Sequence, residues 1–491
     1  MIMDELPINS VKDVNGNIYM IDSILGQGGQ GMVCKTKDSA IAVKFVIKDD
    51  KVLMDEKYYE DYKNKINDVV VMNIDSDINL CNPYTMLEKP YCGYVMHMLS
   101  DLKPISNLIY DPNSDSGLSD FFLKTNGLKK RLEVLIELSR TLARLHSKGI
   151  VYCDISPNNV FFSNTDNFSK VWIIDCDNLK YTGDDKKGIF TPGYGAPEVA
   201  LNITSNTIFS DCFSFAVLAF KVLTARNPFE VNYNDESSSD GWDASTTSLS
   251  QEDAISSNNI PWLFENGITD ELRQFFNHFL TKEMFELFNN TFNRDGRNIP
   301  SSRPSMREWY SVLKDVYIKI SKCQCGRFIY AGEKECPFCH ELPKFDYYGT
   351  MMNVFPKYQE TIDDLKTELS KDNFEDLDFI NEVIDNKVTP NYEKLYNFKI
   401  YDNCKIYNYS LNQISIYEFP YPIIEFTFNN GNLFINNKST SNLRYSYKGE
   451  KGTLIAGNSK PISGKEPIYI YISDPDSKVI HCIMIKSIWE I

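Results

Sequence analysis

No stretch of this 491-residue sequence approaches the roughly 20 apolar residues that span a bilayer, and its longest apolar-rich run, Phe213 to Leu223, carries Lys221 inside it. A membrane-spanning helix is not expected. The opening MIMDELPINS lacks a basic start followed by an apolar core, so a secretory leader is not expected either and a cytoplasmic location is. Basic excess is missing too: 51 Lys and Arg stand against 67 Asp and Glu, a net charge of −16 that would repel nucleic acid and anionic lipid. Neither is an expected partner. No repeat of fixed period is present. Of 12 cysteines, 4 are clustered and the rest are scattered through apolar segments, which fits reduced thiols better than a disulfide framework.

What is present suggests roughly two to four folded units. Residues 17 to 47 read as short strands around a glycine cluster, and 55 to 72 as a charged helix. Gly93 to Leu99 reads as a buried strand. Leu128, Leu132, Leu135, Ile136, Leu142 and Leu145 recur at helical spacing before Gly149. Residues 232 to 259, rich in Ser, Asp and Asn, are expected to form a solvated loop. Helical patterning returns over 270 to 287 and 305 to 320, and an acidic helical connector is expected over 361 to 386. Beyond Lys399, alternating runs such as IIEFTF and PIYIYI between Asn, Gly and Pro turns predict an all-β domain.

The segment Gly26-Gln27-Gly28-Gly29-Gln30-Gly31-Met32-Val33 fits G-x-G-x-x-G-x-V, in which glycines admit phosphate oxygens to the backbone amides. A dinucleotide fold would need a helix next. Here a strand ending in Ala42-Val43-Lys44 follows instead. Tyr152-Cys153-Asp154-Ile155-Ser156-Pro157-Asn158-Asn159 is followed, sixteen residues after Asn159, by Asp175-Cys176-Asp177. Thr191-Pro192-Gly193-Tyr194-Gly195-Ala196-Pro197-Glu198, then Ser210-Asp211, then Arg303-Pro304 complete the series.

In this order, over residues 15 to 320, the motifs resemble those of the protein-kinase superfamily. The resemblance implies an α+β, two-lobed domain, with an N-lobe over about 15–98 and a C-lobe over about 99–320. It implies ATP and Mg²⁺ (or Mn²⁺) as cofactors and protein serine or threonine hydroxyls as acceptors. In its terms Gly26, Gly28, Gly29, Gly31, Val33, Met96 and Met98 contact ATP, and Lys44 pairs the α and β phosphates. Asp154 is the base, Asn159 and Asp175 hold magnesium, and Thr191 stands on the acceptor side. Asp211 hydrogen-bonds the catalytic-loop backbone, and Glu198 pairs with Arg303. A helix glutamate should meet Lys44, and Glu60 is preferred to Glu56 on spacing.

Departures from the pattern narrow the expectations. Cys153 stands where an arginine commonly grips a phosphorylated activation loop, so control by that route is not expected. Ser156 replaces a lysine near the transferring phosphate, with Lys170, Lys180, Lys186 and Lys187 as substitutes. Asp177 replaces the glycine after the metal-binding aspartate, as an extra metal ligand or a backbone cap. Tyrosine or a small molecule remains an alternative acceptor. The rival to an active kinase is a nucleotide-binding pseudokinase scaffold.

Cys323-Gln324-Cys325 and Cys336-Pro337-Phe338-Cys339 suit two tight turns closing a tetrahedral thiolate site, which predicts a structural Zn²⁺ ribbon over 321–343. Its few basic residues are matched by acids, so a spacer or protein contact is expected of it rather than nucleic-acid binding. A linker over 344–398 and a β-rich domain over 399–491 complete the expected order. A regulatory protein docking on the ribbon or the β domain is the expected partner besides ATP and protein substrates. The whole layout looks like bacterial stress-response or phage-defence kinases.

Overall fold

The computed structural model describes residues 8–28, 31–49, 51–163, 165, 168–183, 188–229, 260–330, 335–341, 347–356, 390–411, 416–462, 466–474 and 479–487. They fall into two compact units, Met1–Leu118 with Lys130–Val312, and Ser119–Lys129 with Leu313–Ile491. The expected loop at 232–259 and the connector at 361–386 lie outside the described residues.

The first unit begins with an antiparallel sheet of β1 (Ser10–Lys12), β2 (Ile18–Gln27), β3 (Gly31–Thr36), β4 (Ile41–Lys48), β5 (Lys51–Val52), β6 (Pro83–Met86) and β7 (Gly93–His97). Its path is β1-β2-β3-β4-β7-β6, with β5 on β4. The sequence of β4, IAVKFVIK, explains its central place, because apolar residues on both faces need cover on both. Val43, Phe45 and Ile47 pack with Met32, Cys34 and Val95 on one face. Ala42 and Val46 pack with Tyr94, Met96 and helix α1 (Glu56–Val70) on the other.

Helix α1 starts where the Asp55 side chain accepts from Tyr58 N at 2.8 Å. Its buried stripe is Tyr59, Tyr62, Ile66 and Val69, spaced three and four residues apart. That stripe decides which α1 side chains can turn inward.

Short strands follow: β8 (Leu102–Pro104), β9 (Ile150–Val151), β10 (Val160–Ser163), β11 (Val171–Ile173) and β12 (Lys180–Tyr181). Between them run α2 (Leu118–Lys124) and α3 (Gly127–Ser147). After α4 (Pro197–Ala200) comes α5 (Ile208–Thr224), capped by Thr207 and Ser210, which bond each other's backbone. Apolar nearly all round, α5 is the buried centre of the helical half. Phe213, Phe215 and Phe220 meet Trp262, Phe288, Phe292 and Trp309 there at ring separations of 5.2 to 6.3 Å. The patterning over 270–287 resolves into α6 (Asp270–Asn277) and α7 (Lys282–Phe292), because Thr281 caps a new start by accepting from Met284 N.

In the second unit β13 (Ile320–Lys322) and β14 (Phe328–Tyr330) form a hairpin beside the cysteine cluster. Two antiparallel sheets then enclose one core. The six-stranded sheet contains β15 (Tyr347–Pro356), β16 (Pro390–Ile400), β20 (Leu443–Tyr447), β21 (Glu450–Leu454), β23 (Ile468–Asp474) and β24 (Val479–Ser487). The four-stranded sheet contains β17 (Cys404–Tyr407), β18 (Pro422–Asn429), β19 (Asn432–Asn437) and β22 (Ser459–Ile462). This corrects the expected linker over 344–398, since β15 and β16 lie in that range and pair with each other. β15 is paired on both edges and buried on both faces from Gly349 to Val354, and the charged β16 starts at a proline and skips Leu395 in its register with β15, so neither carried a clean period of two.

Candidate active site

Within the first unit, β2 and β3 pair Gly26 with Val33 and Gln27 with Met32, and Gly28 N donates to Gly31 O at 2.9 Å. Gly29 lies outside the described residues. At Gly31 a Cβ would fall 2.7 Å from the Lys44 Cε, so a side chain there would push the lysine stem aside. A cleft of about 320 Å³ lies under this turn. Leu25, Val33 and Ala42 wall it on one side, Phe161 and Ile174 on the other, and Met96 and Met98 also line it. Its mostly apolar walls with Asp175 at the rim fit a flat base carrying phosphates.

Lys44, buried on β4, lies with Nζ 2.6 Å from Asp175 Oδ1 and 3.1 Å from Asp177 Oδ1. Burial works against its charge, but the two carboxylates outweigh burial and raise its pKa above the usual lysine value. Burial likewise pushes the Asp177 carboxyl up, while Lys44 and Lys65 pull it further down, to a net value below the ordinary carboxylate range. Asp177 Oδ2 faces Tyr62 Oη at 3.3 Å and Lys65 Nζ at 3.5 Å.

The helix glutamate expected opposite Lys44 is not there. Glu60 and Glu56 reach Lys89 instead, at 2.8 and 3.1 Å, because the buried stripe of α1 turns them outward. The Asp177 carboxylate, besides a bond from its own backbone, meets two lysines and a phenol.

Asp154 sits between two donors, Thr191 Oγ1 at 2.6 Å to Oδ1 and Asn159 Nδ2 at 2.9 Å to Oδ2. Burial raises its pKa against the pull of those bonds, which makes it a better proton acceptor than an ordinary carboxylate. Ile174 N donates to Asn159 O at 2.9 Å and Tyr152 Oη to Ile174 O at 2.6 Å, so the loop and the strand before Asp175 are tied together. Asp175 itself takes left-handed backbone angles, φ 57° and ψ 40°.

Asp211, on α5, accepts from Tyr152 N at 2.8 Å and Cys153 N at 3.0 Å, with His146 Nε2 3.1 Å away. Those bonds hold Cys153 at φ 80°, a strained angle for a side-chain-bearing residue. Arg303 donates to both Glu198 oxygens, at 2.7 and 2.8 Å. Of the lysines considered as substitutes beside Ser156, Lys180 is buried and bonded to Ser205 Oγ, and Lys186 and Lys187 lie outside the described residues.

In the second unit the sulfurs of Cys323, Cys325, Cys336 and Cys339 lie within 4.8 Å of one another. Two separations, 3.7 and 3.8 Å, match the edge of about 3.8 Å in a tetrahedron with zinc–sulfur bonds of about 2.3 Å. Gly326 at φ 88° and His340 at φ 57° close the two turns, and the His340 ring points to Glu335 rather than into the cluster.

A family model described as protein kinase domain matches residues 19–309. Serine/threonine-protein kinase pkn2 of Myxococcus xanthus is 32% identical over 109 residues, covering 21% of this chain and 13% of that protein. Serine/threonine-protein kinase D2 of Homo sapiens is 32% identical over 99 residues, 20% of this chain and 11% of that one. Protein kinase C delta type of Homo sapiens is 26% identical over 234 residues, 45% and 31% respectively. The matched stretch thus spans less than a third of each relative.

Proposed function

Because this chain belongs to the protein kinase domain family, we propose that it is a serine/threonine kinase that transfers the γ-phosphoryl group of ATP to protein hydroxyls. The observation that carries the reading is Asp154 held between Thr191 and Asn159, with Lys44 and Asp175 in contact nearby. In this reading Asp154 orients the acceptor hydroxyl and takes its proton as the oxygen attacks. The Thr191 hydroxyl fixes the carboxylate for an aliphatic acceptor, which supports serine or threonine over tyrosine. Lys44 holds the α and β phosphates, and the glycine turn covers them. Asn159 and Asp175 would hold magnesium, which would supply positive charge against the charge that develops on the transferred group. The same reading extends to autophosphorylation and a bacterial signalling, stress or phage-defence role, a bacterial kinase being among the proteins it resembles.

Labelled ATP, magnesium and a generic serine-containing protein should yield labelled protein with the full chain, and leaving out magnesium should abolish the signal. ATP binding without transfer under magnesium or manganese would favour the scaffold reading, which draws on Ser156 and Cys153.

For the four cysteines we propose a closed structural zinc site, supported by their sulfur separations and by the lack of a water-holding position among four thiolates. Elemental analysis of the purified chain should find a single equivalent of zinc, lost in Cys336→Ser. Metal-free protein with four freely titrating thiols would refute it.

A further inference from the structure

We propose that Asp177 is the positioning residue for Lys44, and that α1 docks on the nucleotide site through a cation and a phenol rather than through a carboxylate. The proposal rests on the reading of Lys44 as the phosphate-binding lysine. Among the described residues the ion pairs of Lys44 are with Asp175 and Asp177, and they differ in kind. The Asp175 side chain is 36% exposed and lines the cleft. The Asp177 side chain is 8% exposed and uses both oxygens, Oδ1 on Lys44 and Oδ2 on α1.

If Asp175 were to hold a metal, Asp177 would be the acid left with Lys44. The helix side is built to match. Tyr62 and Lys65 lie three residues apart and therefore on one face of α1, and both reach Asp177 Oδ2, at 3.3 and 3.5 Å. Lys65 Nζ also donates to Asn178 Oδ1 at 2.7 Å, so the helix grips two successive residues of the segment that follows Asp175. The acid moves with the metal-binding segment and the cation with the helix. Swinging α1 outward would break the Tyr62 and Lys65 contacts and leave Asp177 between fewer donors, which loosens Lys44 without moving it directly. Asp177 thus couples helix position to phosphate binding.

The test uses the full chain, with kcat, KM for ATP and equilibrium affinity for magnesium–ADP measured in parallel. Asp177→Asn should lower kcat/KM for ATP by about 10-fold or more, mainly through KM, and weaken magnesium–ADP comparably. Lys65→Met should shift both the same way by less. Returning the acid to the helix, as Asp177→Asn with Tyr62→Glu, should recover much of the loss, which a merely structural role of Asp177 would not allow. Unchanged affinity in Asp177→Asn, no recovery in the double variant, or a larger loss in Glu60→Gln than in Asp177→Asn would each overturn the proposal. If Asp177→Asn does not fold, Lys65→Met against Glu60→Gln carries the comparison, and equal affinity for magnesium–ADP in the two would overturn the proposal. If the native chain transfers no phosphate, the kinase reading fails alone, and the magnesium–ADP affinities still decide the role of Asp177.

Discussion

Asp154→Asn should lower kcat for phosphotransfer by about 10²–10⁴-fold while leaving the KM for ATP nearly unchanged. The isosteric amide keeps the local framework: its oxygen can still accept from Asn159 Nδ2, and its NH₂ can donate to Thr191 Oγ1, which then serves as acceptor. What disappears is the group that takes the proton. Asp154→Ala removes the same group and also one of the two bonds that hold the Asn159 side chain, the one to Oδ2 at 2.9 Å, leaving only the one to the backbone oxygen at 3.0 Å. The alanine variant should therefore raise the KM for magnesium–ATP as well. Steady-state kinetics on both variants separates the two effects, and a native kcat in Asp154→Asn would sink the assignment of the base.

Arg303→Met should destabilise the first unit by about 3–5 kcal/mol, read as a lower midpoint in urea. The Arg303 side chain is 0% exposed and that of Glu198 8%, so methionine would leave a carboxylate buried without its cation. Arg303 also donates to Gly296 O at 2.6 Å and Phe209 O at 3.0 Å. Pairing it with Glu198→Leu should consequently restore only part of the loss: the stranded charge is gone, but the backbone carbonyls of Gly296, Phe209 and Arg297 have still lost the arginine as donor. Full recovery in the double variant would mean that those backbone bonds add nothing.

The kinase motifs were legible because each is a short run whose residue types follow from phosphate and metal chemistry, and the spacing from Asp154 to Asp175 needed no tertiary information. The charge arrangement around Lys44 was not. Choosing Glu60 assumed that an acid on α1 must face the lysine, although Tyr59, Tyr62, Ile66 and Val69 already mark the inward face in the sequence and exclude Glu60 from it. Asp177 was visible as an anomaly, but its partner Lys65 is 112 positions away, and only the packing of α1 brings the two together. The β domain was recognisable from its later strands, whereas β15 is buried on both faces and so does not alternate, and β16 is a charged, bulged strand whose cover comes from distant segments.

The placing of β15 has a consequence in time. One of its edges pairs with β24, Val354 opposite Ile480, more than a hundred positions further along the chain. At about 5–20 residues per second of synthesis, on the order of ten seconds separates the two strands as they emerge. Strands β2, β3 and β4, by contrast, find their partners almost as soon as they are made. For that interval β15 has an open hydrogen-bonding edge and an uncovered Met351, the kind of surface that recruits a chaperone or a neighbouring chain. That edge closes only once β24 has been made.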